Sequence, residues 1–157
     1  MMAVLWNDIE RDVSSSRRHF AKAIEVFGHL RGASGEENYY FQTAAFMHAM
    51  LSGYTSFEAA MKRLLALLGE PLPSGSDWHT ALVQRIATAD VGSRPAILDD
   101  ASLVRAVSGL RGFRHVAAHA YDEFDEDRAA LAARDAETFL AEIDPTLARF
   151  RAIIDPD

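Results

Sequence analysis

The residues with the clearest capacity for chemistry are Arg114, His119 and Tyr121, all within the stretch Leu110-Arg-Gly-Phe-Arg-His-Val-Ala-Ala-His-Ala-Tyr-Asp122. A guanidinium is shaped to grip two phosphate oxygens and stabilises the negative charge that gathers on them in a transition state. An imidazole near its ordinary pKa takes or gives a proton at neutral pH. Together they supply what metal-independent RNA cleavage needs: a base for the ribose 2′-hydroxyl and a cation for the adjacent phosphate. The stretch is predicted as the C-terminal end of a long helix. At roughly 100° per residue, five positions carry His119 well off the face of Arg114. The pair therefore converges only if the helix end is distorted or if another subunit completes the site. Tyr121 lies seven residues from Arg114, two turns on and nearly in line with it.

His115 and His119, four residues apart, form a competing constellation. They share a helix face and could ligate a metal, with Asp122 or another carboxylate as third ligand. His19, His29, His48 and His79 are scattered singly without ligand spacing, and each is expected as a core or surface histidine. The site is accordingly read without metal and without cofactor. Arg17, Arg18 and Lys22 make a small basic patch on the first helix, where a solvated face is the default.

The order Arg-x4-His-x-Tyr resembles the signature of the HEPN superfamily, and more narrowly of its HepT-like toxins. The resemblance is specific over residues 110–125 and covers most of the chain in layout. It implies an all-helical, metal-independent endoribonuclease, with Arg114 and His119 catalytic and two motifs facing each other across a homodimer. RNA is the implied substrate. The implied partner is an MNT-type nucleotidyltransferase, as in HepT/MntA toxin–antitoxin pairs, which silences the toxin by attaching AMP at Tyr121. Asp122 and Asp125 continue the family-like tail. His115 departs from the pattern, because many members carry a small polar residue directly after the arginine. Tyr54-Thr-Ser-Phe-Glu58 resembles the second-helix pattern of the family, in which an acid follows a tyrosine at one-turn spacing, and Glu58 could pair with Arg111 or Arg114 and orient it. A solvated surface carboxylate is the competing reading of Glu58. Trp78-His79 resembles a Trp-His pair found at the same helix start in related chains, although a packing anchor is the stronger reading of the tryptophan. The alternative function is a catalytically inactive helical module that dimerises and binds a nucleotidyltransferase or a nucleotide.

The elements that must position these residues are helical. The chain has 157 residues, 49% of them apolar, enough for one domain over residues 1–157 with a sizeable core. The absence of cysteine fits a reducing compartment. No signal peptide or membrane span is visible, and a cytoplasmic location is expected. The net charge of −7 argues against extended nucleic-acid wrapping, yet residues 101–120 hold three arginines and no acid. A basic pocket in an acidic protein suits a short RNA segment. Apolar stripes at helical spacing predict helices from about Val4 to Leu30, from Glu36 to Leu68, a short one opened by Ser76 or Asp77, the motif helix capped by Asp99 or Asp100, and a last one from Glu126 to Ile154. Asp144-Pro145 is expected to break or kink the last. Gly53 is expected to mark a close helix contact or a slight bend. The fold class is an all-α antiparallel bundle of four to five helices.

Overall fold

Helical periodicity in the sequence is realised as five helices: α1 (Met2–Leu30), α2 (Glu36–Leu67), α3 (Trp78–Ala87), α4 (Ala101–His119) and α5 (Glu126–Ile154). The computed structural model describes residues 2–30, 32, 35–90, 92–119 and 124–156, and no strand occurs among them. None of these helices is long and apolar enough to cross a membrane.

The two longest contacts of the bundle are antiparallel. Along α1 and α2, the Ser16 hydroxyl donates to the Gly53 carbonyl at 2.7 Å and Arg63 pairs with Asp12 at 2.7 Å. A Cβ at Gly53 would lie 2.9 Å from two carbons of the buried Phe20 ring, so the missing side chain is what lets the helices approach. Phe20 in turn packs edge-on against Phe139 of α5, at 5.0 Å between centroids, and Phe57 meets the same ring at 5.4 Å. These aromatics, with Trp6, Phe46, Leu64 and Phe150, form one continuous core.

Helix ends follow local chemistry. Gly69, at φ +73°, terminates α2, with its amide donating to Ala66 and that of Glu70 to Leu65. Asp100, rather than Asp99, caps α4 by accepting from the Leu103 amide at 2.9 Å. Asp99 instead pairs with Arg149 of α5 at 2.8 Å. Asp125 caps α5 through the amides of Asp127 and Arg128. Asp77 stands at the N-cap of α3, but its side chain makes no capping bond.

The expected break at Asp144-Pro145 does not occur, and α5 runs through it. An interior proline costs about 3 kcal/mol or more. Beyond it Leu147 and Phe150 are buried, each contributing roughly 1.5–3 kcal/mol. Arg17 of α1 also holds Asp144 at 3.1 Å. Packing against α1 therefore outweighs the lost backbone bond.

The link between α3 and α4 is fixed by buried Arg94. Its guanidinium takes both oxygens of Glu70 and reaches the carbonyls of Thr88 at 3.1 Å and Pro95 at 3.0 Å. The amides of Ile97 and Leu98 both donate to the Ile86 carbonyl at the end of α3. These bonds seat short α3 against α2 and α4, which brings its first residues to the motif helix.

Candidate functional site

The site centres on Glu58, which is only 2% exposed although it is ionisable. It lies on α2 between the core residues Phe57 and Met61, so the apolar stripe that buries α2 carries the carboxylate inward with it. An isolated buried carboxylate is costly, and this one is surrounded by cations. His79, from the first turn of α3, donates from Nδ1 to Oε2 at 2.5 Å. Arg114, from α4, places Nε 3.8 Å from Oε1. Lys62, one helical turn beyond Glu58, adds a positive charge to that of Arg114. Burial pushes the Glu58 carboxyl above its ordinary range, against the opposing pull of His79, Arg114 and Lys62.

Three elements thus meet on one carboxylate, with a different oxygen serving each partner. The Arg114 side chain is 25% exposed. Its Nε is buried without a hydrogen bond, and among the described residues its terminal nitrogens have no partner. Tyr54, one turn before Glu58, has a buried hydroxyl without a partner. Burial drives its phenol strongly upward, Glu58 adds to the rise, and Arg111 and Arg114 oppose it. Tyr54 is a neutral wall of the site at any physiological pH.

His79 is 24% exposed and is held from two sides. Its ring lies 3.7 Å from that of Trp78, whose face also receives the Lys62 ammonium at 4.8 Å from the centroid. The sequence reading placed His79 among the scattered core or surface histidines. The structure puts it at Glu58, and the Trp78-His79 pair opening α3 was the available signal.

The remaining sequence-selected residues distribute as follows. Glu58 is buried rather than solvated, and its arginine partner is Arg114, with half-buried Arg111 nearer Tyr54. His119 is the last residue of α4 and is exposed; its ring lies 4.7 Å from that of His115, also exposed. Within the chain, Arg114 turns to Glu58 while His119 turns to His115, as their spacing on a regular helix requires. The described part of the helix end is undistorted through His119. Tyr121 and Asp122 lie outside the described residues. Among the described residues no group of three or more metal-ligating side chains is assembled.

No curated protein and no solved structure matches the chain. A family model described as HepT-like protein matches residues 45–154, a span that includes Glu58, His79, Arg114 and His119 and the three helices that carry them. With that match covering most of the chain and the helical layout in agreement, the protein belongs to the HepT-like family of the HEPN superfamily.

Proposed function

We propose that this protein is a HepT-like toxin, a metal-independent endoribonuclease that works as a homodimer and is neutralised by a nucleotidyltransferase partner. The observation that carries the reading is the Arg114 guanidinium, whose Nε edge faces Glu58 at 3.8 Å and whose terminal nitrogens bond none of the described residues. That arrangement suits a phosphate. Lys62 and Arg111 strengthen the local positive field in a chain whose net charge is −7.

In this reading the substrate 2′-oxygen bonds to phosphorus while the bond from phosphorus to the 5′-oxygen breaks. Arg114 holds the non-bridging oxygens as their charge grows. His119 moves a proton, and because it diverges from Arg114 in one protomer, the second copy supplies it. The face available for that copy includes Gly112, Val116 and Leu131, which line a groove of about 300 Å³ between α4 and α5. Leu131 is 60% exposed. Tyr121, just past the end of α4, is the proposed acceptor of AMP, whose phosphodiester would occupy the position of the substrate phosphate.

The divergence of Arg114 and His119 equally suits the second reading, an inactive module that dimerises and binds a nucleotidyltransferase or nucleotide. The deciding experiment incubates the purified chain with RNA and with DNA of the same sequence, with and without EDTA. Cleavage of RNA alone, insensitive to EDTA and leaving a 2′,3′-cyclic phosphate, is expected from attack by a 2′-hydroxyl that DNA lacks. Arg114→Ala and His119→Ala should each abolish it. An inert wild-type chain would favour the inactive module, and cleavage that requires added zinc or manganese would favour His115 and His119 as metal ligands.

A further inference from the structure

The buried Glu58 holds the imidazole of His79, and that imidazole has the arrangement of a general base. His79 donates its Nδ1 proton to Glu58 Oε2, which fixes the tautomer that leaves a lone pair on Nε2. No described residue bonds Nε2. Trp78 restricts the ring from one side, so its orientation is set before any substrate arrives. The other oxygen of the same carboxylate faces Arg114, the proposed phosphate ligand. A carboxylate, an oriented imidazole and a phosphate-binding arginine therefore come together inside one protomer. Arg114 and His119 do not.

We propose that His79 is the base that activates the RNA 2′-hydroxyl, with Glu58 as its positioning residue. This rests on the ribonuclease reading above and divides its proton chemistry between two histidines. His79 Nε2 takes the 2′-hydroxyl proton as the 2′-oxygen bonds to phosphorus. The bond from phosphorus to the 5′-oxygen breaks with its electron pair, and the departing 5′-oxygen takes a proton from protonated His119. His79 then returns its proton to water and His119 regains one, so no other reactant is consumed. Glu58 stabilises the imidazolium that forms on His79, as a buried carboxylate does for a base it orients. Lys62 stands over Trp78 and adds positive charge beside the Trp78-His79 pair.

The test is single-turnover RNA cleavage against pH by the full-length dimer, for the wild type, His79→Ala, His79→Asn and His119→Ala, with thermal melts of each. His79→Asn keeps a donor for Glu58 but has no nitrogen that accepts a proton, so it separates a base from a merely structural histidine. The expected result is a loss of about 10²–10⁴-fold in both His79 variants. The acid limb of the rate profile should disappear, and added imidazole should restore part of the His79→Ala rate. His119→Ala should be inactive across the whole pH range. A folded His79→Asn variant with wild-type rate and profile overturns the assignment. If Arg114→Ala is dead in the same assay, the ribonuclease reading survives that result. A wild-type chain that cleaves no RNA takes both down together.

Discussion

Replacing Glu58 tests whether its burial is tolerated for the sake of the site. At neutral pH the carboxylate bonds His79 and faces Arg114, yet the net effect of its surroundings is to hold its carboxyl above the ordinary 4.5. A raised folded-state value means that ionising this group opposes folding. Its contribution is most favourable below the unfolded value and is lost as pH rises through the folded one. In Glu58→Gln the volume is kept, the amide oxygen still accepts from His79, and no charge is buried. We expect a stability within about 1 kcal/mol of wild type at pH 7, or a Tm within about 2–4 °C for a chain of this size. Glu58→Ala differs because it leaves His79 Nδ1 without its acceptor. It forfeits a charge-assisted bond of roughly 1.5–3 kcal/mol and a partly exposed pair with Arg114 of at most about 1 kcal/mol. Relief of the buried charge and the better helix propensity of alanine return part of this. The net cost should be about 1–3 kcal/mol, a Tm lower by about 2–12 °C. Thermal melts of the three proteins from pH 7 to pH 4 are the assay. The wild type should gain on Glu58→Gln as pH falls. A Gln variant that is less stable than the Ala variant, or that gains on the wild type toward acid, would refute the reasoning.

Two further outcomes bear on assembly and control. No atom lies within 4 Å of a Cβ built at Gly112, so Gly112→Arg together with Leu131→Asp should leave the fold intact while blocking the groove between α4 and α5. Light scattering should then find a dimer for the wild type and a monomer for the variant, and a wild type that is monomeric yet active would exclude a shared site. Incubation with ATP and an MNT-type nucleotidyltransferase should add AMP to the wild type but not to Tyr121→Phe, as read by intact mass. Equal addition to both would remove Tyr121 as the acceptor.

The sequence alone determined what depends on neighbours along the chain. Helix spacing of apolar residues and the capping aspartates before α4 act within a few turns, and the five helices could be read from such signals. The Arg-x4-His-x-Tyr stretch is equally local, and so is the divergence of Arg114 from His119. What only the tertiary structure decided depends on residues distant in the chain. Pro145 sits inside a continuous helix because Leu147, Phe150 and the pairing of Asp144 with Arg17 hold α5 on α1. Gly53 is required by the ring of Phe20, which no local pattern specifies. Glu58, His79 and Arg114 belong to α2, α3 and α4 and meet only once the Arg94 anchor has seated α3. A histidine alone on a short helix carries no periodic signal of its role. His79 acquires one from the buried carboxylate that packing places against it, because only in a desolvated setting does that bond fix the ring and its proton.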